Sequence, residues 1–301
     1  MKSIAFCIPF AQGGIKYLEF LIGNLIKTAK HAERIKIKVS YHDEDSLVSI
    51  KNSAVFKKIS DLIEAPKIKE GSCHFVGSAN HTRALNALAK NVAEEIIIFS
   101  DYDMAFCLPH WDSEIENILF GLNYDLCGVE YQNLIFNKDS KPFPPFPPVR
   151  LIKYQHLPNL SFFCIRKNIF QEKFNGHLSD FDNFLLGGSL PFRLIDSPEA
   201  SKINNLPIGT YQWLDSGWEI PEVIYKHNLR FANFNFVANA DQIALRVDSS
   251  HPVFKSEVFY LNMRPFLCHF KKGTKKLSGL SENFISFTKD VDSFILKNYS
   301  Q

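Results

Sequence analysis

The sequence predicts an α/β fold: a mostly parallel central sheet flanked by helices, with a C-terminal extension beyond it. Three observations carry this. Ile96, Ile97, Ile98 and Phe99 run without alternation, as in a short strand buried on both faces. The first half of the chain alternates apolar strands with stretches of helical periodicity, which is the pattern of a parallel sheet. The 301 residues, 46% hydrophobic and 22% charged, supply an ordinary globular core for one large domain or two small ones.

Taken in order, Ile4 to Pro9 reads as the first strand, and Gly13-Gly14 opens a loop. Ile15 to Lys30 reads as a helix, because Leu18, Leu21, Ile22, Leu25 and Ile26 recur at helical spacing. Ile35 to Tyr41 alternates and reads as the second strand, ending in His42-Asp43-Glu44-Asp45-Ser46. Acids at that strand end suit a ribose or base edge, and equally a helix N-cap. Ser53 to Ala65 is expected as a short helix closed by Pro66, and Cys73 to Val76 as a small strand. Asn80 is expected to cap a helix, HTRALNALAKNVA, whose Arg83 and Asn86 fall on roughly one face.

The central strand follows, then a helix from Trp111 to Phe120 and a strand from Asp125 to Tyr131. KPFPPFPP, within Asn137 to Arg150, excludes a helix or central strand and predicts an extended loop. Leu160 to Ile165 resumes as a strand and Lys167 to Lys173 as a short helix. Tyr211 to Leu229 reads as helical with a break at Pro221, and Phe231 to Val237 as an aromatic strand. Glu282 to Lys297 is amphipathic. Closing the core is its default use, with a dimer contact or a membrane surface as the others.

Charge and cysteines exclude several classes. With 34 basic and 32 acidic residues the chain is not built as a nucleic-acid binder. No apolar run approaches the ~20 residues of a membrane span, and MKSIAFCIPF reads as a first strand rather than a signal peptide. The six cysteines are scattered with no CxxC pair, as expected of reduced core thiols in a cytoplasmic protein.

The chemistry concentrates at Asp101-Tyr102-Asp103, where the central strand ends. Open α/β sheets bind ligands beyond the carboxyl ends of their strands. Two carboxylates there can hold a hard divalent cation, and the cation a phosphate. The tripeptide alone is equally an acidic turn.

Four features together resemble the GT-A glycosyltransferases, especially the family 2 and galactosyltransferase-like groups. They are the strand ending in Pro9, the TRALNALAK helix, the apolar strand into Asp101-Tyr102-Asp103, and His269 before the basic stretch Lys271 to Lys276. The resemblance covers roughly residues 1 to 275. It implies a GT-A, Rossmann-like sheet in one compact domain. Residues 1–131 would form the nucleotide-sugar-binding half and 132–301 the acceptor-binding half.

It further implies a Mn²⁺ or Mg²⁺ ion held by Asp101, Asp103 and His269 on the diphosphate of a nucleotide sugar, which would be UDP-linked. Arg83 and Asn86 would serve the donor. Pro9 and Phe10 would line the base pocket, with Asp43 reaching the uracil or ribose. Lys271, Lys272 or Lys275 would close on the diphosphate as point charges. The base that deprotonates the acceptor hydroxyl would be Asp215 or Glu219, with Asp215 first. The sequence lacks the adjacent Glu-Asp pair common in the family, which leaves the base and inversion open. The acceptor would be a glycan, lipid-linked or protein hydroxyl, and no nucleic acid is expected. The cytoplasm, or the inner face of a membrane touched peripherally, would be the place of action.

Three other readings compete. A haloacid-dehalogenase-type phosphatase would use Asp101 as nucleophile, but such enzymes place the motif near the N-terminus and want Thr or Val where Ala105 stands. A nucleotidyltransferase would want a better Gly-rich loop than Gly13-Gly14-Ile15-Lys16. A non-catalytic carbohydrate-binding relative is the third.

Overall fold

The computed structural model describes residues 1–11, 13–67, 76–130, 158–179, 192–204, 207–209, 211–213, 216–236, 257–270 and 282–299. At its centre β1 (Ile4–Pro9) and β4 (Ile96–Ser100) pair in parallel, Ile4 opposite Ile96 and Cys7 opposite Phe99. Every residue of both strands is buried, because each face of the pleat meets its own layer. Ile4, Phe6, Ile8, Ile96 and Ile98 enter one apolar core, while Ala5, Cys7, Ile97 and Phe99 enter another.

The first core is covered by α1 (Ile15–Thr28) and α4 (Trp111–Glu116). Leu18, Leu21, Ile22 and Leu25 of α1 lose all exposure, each such burial stabilising by about 1.5–3 kcal/mol. The second core is covered by α3 (Val76–Ala89), through Leu85 and Leu88, and by α5 (Lys167–Lys173), through Ile169 and Phe170.

The remaining strands are β2 (Ile35–Tyr41), β3 (Asp61–Glu64), β5 (Met104–Phe106), β6 (Leu126–Glu130), β7 (Pro158–Arg166), β10 (Phe231–Phe236), β11 (Glu257–Leu261) and β12 (Arg264–His269). Among the described residues they form a ten-stranded sheet in the order β3-β2-β1-β4-β7-β6-β10-β11-β12-β5. All of the first seven except β7 run the same way, as expected of a mostly parallel sheet. The last three add antiparallel pairs. β7 sits between β4 and β6, so the sheet is continuous across residue 131. A separate ribbon pairs β8 (Phe192–Leu194) with β9 (Tyr211–Trp213).

β5 ends the sheet, and its outer edge is capped by a side chain. Asn24 of α1 donates from Nδ2 to the Phe106 carbonyl (3.1 Å) and accepts from the Phe106 N–H at Oδ1 (2.6 Å). Trp111 stacks on Phe106 at 4.2 Å between centroids and donates from Nε1 to the Leu25 carbonyl (2.9 Å). α8 (Glu282–Tyr299) packs Phe287, Val291 and Ile295 into the first core, so this helix closes the core. No described helix is long and apolar enough to cross a membrane.

Several elements differ from the sequence expectation. Ser53 to Ala65 is not a helix. A helix, α2 (Glu44–Lys51), stops before it, a 3-10 turn covers Phe56–Lys58, and β3 pairs in parallel with β2. Its apolar residues fit either period, and the free edge of β2 decides. Tyr211 to Leu229 is not one helix either: β9 comes first, Gly217 takes φ +77°, and only α7 (Ile220–His227) is helical. Pro221 begins that helix rather than breaking it, since a first-turn residue needs no N–H partner. Asn80 lies inside α3, which begins a turn earlier at Val76. Past Glu116, α4 continues as a π turn over Asn117–Gly121.

Cys7, Cys107, Cys127, Cys164 and Cys268 are buried and stand outside any disulfide. Cys73 and the proline-rich stretch lie outside the described residues.

Candidate metal and donor site

The site forms where β4 ends at Ser100. The next N–H, of Asp101, donates to the Ser161 carbonyl of β7 (2.8 Å) and fixes the start of the turn. Tyr102 turns inward at 6% exposure, against Phe10 (5.7 Å between centroids) and Tyr17 (6.5 Å). Gly14 makes room for it: a Cβ there would stand 2.3 Å from Tyr102 Cε2. Tyr102 is thereby pinned between Phe10 and Tyr17, with Asp101 and Asp103 on either side of it in the chain.

His269 is brought to this turn by β-pairing. β12 runs antiparallel to β5 with His269 opposite Met104, and the Phe270 N–H donates to the Asp103 carbonyl (2.8 Å). His269 Nε2 therefore stands 3.3 Å from Asp103 Oδ1. One ligand atom from each of Asp101, Asp103 and His269 lies within 4.8 Å of the others.

Burial opposes ionisation of Asp103, which is 6% exposed, and the neighbouring Asp101 charge adds to it. His269 only partly offsets them, so the carboxyl sits above its ordinary range. Burial also opposes ionisation of Asp101. There the hydrogen bond and charge of His81, with the charge of His269, outweigh it and hold the carboxyl low. Burial and the Asp103 charge raise the Tyr102 phenol. A divalent cation among these donors would relieve the crowding of negative charge. Two carboxylates and an imidazole suit Mn²⁺ better than Mg²⁺, which prefers an all-oxygen shell.

His81 is the contact that sequence reasoning missed. From α3 its Nε2 lies 3.1 Å from Asp101 Oδ1, and its Nδ1 lies 3.1 Å from Ser216 Oγ. Arg83 is two positions further on, about 200° around the helix, so it leaves α3 on another side. Asn86 is engaged with the chain near α5: Nδ2 donates to the Leu178 carbonyl (2.8 Å) and Oδ1 accepts from the Leu178 N–H (2.8 Å). A signal for His81 existed only in its place four residues before Leu85, on the buried face of α3.

The other residues fall as follows. Pro9 ends β1, and Phe10 is 1% exposed with its N–H on the Ser40 carbonyl (3.1 Å). Asp43 caps α2, accepting from the Ser46 N–H (2.9 Å), and faces Lys67 at 3.6 Å. Hydrogen bonding to Ser46 holds its carboxyl low. Asp215, Lys271, Lys272 and Lys275 lie outside the described residues.

Glu219 stands at the N-cap of α7, three residues beyond Ser216. It is 6% exposed. Oε1 accepts from the Ser179 N–H (2.7 Å), while Oε2 meets no hydrogen-bond partner among the described residues. Burial pushes its carboxyl up to about 7, against the lowering effect of the Ser179 N–H. It lines a cavity of about 380 Å³ together with Ser179, Val223 and, from α6 (Pro198–Asn204), Glu199 and Ile203.

Among solved structures, the chain is similar to the mannosyltransferase PcManGT from Pyrobaculum calidifontis, a complex with GDP-Man and Mn²⁺. The TM-score is 0.40 at 11% identity, covering 72% of this chain and 55% of that one. It is also similar to S. aureus TarS 1–349 in complex with UDP-GlcNAc, with a TM-score of 0.45 at 13% identity over 98% of this chain and 66% of that one. The same TarS segment with UDP gives 0.38 at 13% identity, over 59% and 50%. This chain thus spans between half and two thirds of those chains. At such scores and identities the likeness carries no conclusion about what this chain binds. No protein-family model matches the chain, and no curated protein matches it by sequence.

Proposed function

We propose that this chain is a metal-dependent glycosyltransferase that moves a sugar from a nucleotide sugar, UDP-linked, to a hydroxyl of a glycan, lipid-linked or protein acceptor. The observation that carries the reading is the convergence of Asp101, Asp103 and His269 within 4.8 Å beyond the carboxyl end of a central strand. These three residues would hold Mn²⁺ or Mg²⁺. When bound, the cation supplies charge neutralisation to a diphosphate leaving group, worth several kcal/mol at the transition state.

The chain's own residues divide the remaining work. Pro9 and Phe10 border the donor base, and Asp43 at the end of β2 faces its ribose or uracil. Lys271, Lys272 or Lys275 would offer positive charge to the diphosphate. Glu219 takes the acceptor proton: a carboxyl near pH 7 is matched to that task, and Oε2 is the oxygen left to accept it. A single base and a direct displacement give inversion at the anomeric carbon. Asp215 is the other candidate for the base.

The test is thermal stability with nucleoside diphosphates, with and without Mn²⁺. A ligand at ~100 times its dissociation constant adds about 2.7 kcal/mol. UDP with Mn²⁺ should raise the melting temperature and UDP alone should do so less. No shift with any nucleoside diphosphate, with metal or without, would overturn the reading. Hydrolysis of an aryl phosphate that Asp101→Asn abolishes would favour the phosphatase instead.

A further inference from the structure

We infer that His81 is a positioning residue of the metal site, holding Asp101 through Nε2 and held in turn by Ser216 through Nδ1. The inference rests on the reading of Asp101, Asp103 and His269 as metal ligands. A carboxylate only accepts, so Nε2 carries a proton, in the neutral as in the charged ring, and donates to Asp101 Oδ1. Nδ1 lies 3.1 Å from the hydroxyl of Ser216, a residue 6% exposed, and accepts from it in the neutral ring or donates to it in the charged one. The two contacts together fix the plane of the ring.

The consequence for Asp101 is geometric. With Oδ1 taken by the imidazole, Oδ2 is the oxygen left for a cation or for water bound to it. The carboxylate is held in one rotation before any metal arrives. Partners of this kind orient metal ligands, and their loss weakens metal binding by about 10–100-fold.

The contact also joins two parts of the site. Ser216 begins the turn that passes through Gly217, at φ +77°, and leads to Glu219. A Cβ at Gly217 would stand 2.8 Å from Leu160 Cδ1, so the turn is packed down and has little room to shift. His81 thus connects the strand-end aspartate to the turn carrying Glu219. Such coupling is reciprocal: whatever settles Asp101 also settles Ser216.

The experiment titrates Mn²⁺ alone into the full chain, with free Mn²⁺ read by electron paramagnetic resonance. His81→Phe, which keeps a ring and removes both polar contacts, should bind Mn²⁺ about 10–100-fold more weakly than the unaltered chain. Ser216→Ala should weaken it by less, because the ring keeps its bond to Asp101. His81→Gln, which retains a donor, should recover part of the loss and serves also if the Phe variant misfolds. Transferase activity of His81→Phe should return as Mn²⁺ is raised to saturation, which damage to the fold alone would not allow. Mn²⁺ binding by folded His81→Phe and His81→Gln within twofold of the unaltered chain overturns the inference while leaving the metal site intact. An unaltered chain that binds no Mn²⁺ overturns the metal reading and this inference with it.

Discussion

His269 Nε2 stands 3.3 Å from Asp103 Oδ1 because β12 is hydrogen-bonded to β5, the strand that begins one residue after Asp103. Two residues far apart in the chain are thereby held in one site by backbone pairing. His269→Ala should leave the fold intact and remove most of the Mn²⁺-dependent rise in melting temperature, and Asp103→Ala all of it. Calorimetry with and without Mn²⁺ measures both.

Asp103 carries a second expectation, in the absence of metal. Its folded carboxyl sits above the ordinary range, so the unfolded chain releases that proton at lower pH than the folded one. The residue therefore costs stability once the pH exceeds the unfolded value. Asp103→Asn should stabilise the metal-free protein at pH 7 and give no gain near pH 3. Urea unfolding at the two pH values checks the sign.

Glu219 should show the same sign. With a folded value of about 7 against an ordinary 4.5, stability falls as pH rises from 4.5 to 7, by on the order of 3 kcal/mol. Glu219→Gln should recover that amount at pH 8 and nothing at pH 4. If Glu219 is the base, kcat/KM should rise with pH through about 7, and the Gln variant should lose the rise along with most of its activity.

Asn24→Ala removes both side-chain bonds to the backbone of Phe106 and leaves a buried N–H without its acceptor. The cost should be about 1–3 kcal/mol in urea unfolding. Mn²⁺ affinity should fall as well, since the freed strand is the one that positions Asp103.

Gly14→Ala tests the pocket under Tyr102. The added methyl meets the ring at 2.3 Å and must displace it, at about 1–3 kcal/mol. A ring set between Asp101 and Asp103 cannot move alone, so if these two hold the cation, Mn²⁺ affinity should drop by more than that of a Gly23→Ala control, whose Cβ meets nothing within 4 Å.

The sequence made the centre of the fold legible and its margins less so. Ile96 to Phe99 declared a strand because burial on both faces leaves no polar residue to confuse the period. The acid pair declared itself by lying where that run stops. By contrast, Asp61 to Glu64 has only four residues, half of them charged, and is a strand because the edge of β2 is open to it. The segment before α7 misled because Tyr211 to Trp213 finds a partner in β8, which no local period announces.

The site divided the same way. His269 was reachable through the family resemblance, whereas His81 depends on how α3 lies across the sheet. Asn86 shares that helix, and its amide meets Leu178. The acids after β2 suited a ribose or base edge and a helix N-cap equally, and the structure shows Asp43 capping α2.

The order of the sheet has a mechanical consequence for the acid pair. β4 and β5 are joined by three residues but stand six places apart in the sheet. In a flat sheet six spacings of about 4.8 Å would span roughly 29 Å, whereas four peptide links reach about 14 Å. The sheet must curl until its last strand returns over its fourth, and Asp101-Tyr102-Asp103 is the clasp of that hoop. Between β10 and β11 the hoop is joined by two residue pairs, Asn235 with Tyr260 and Phe236 with Phe259. Were that seam to part, β11, β12 and His269 would remain tied to the rest through β5, whose Phe106 is bonded to Asn24 of α1.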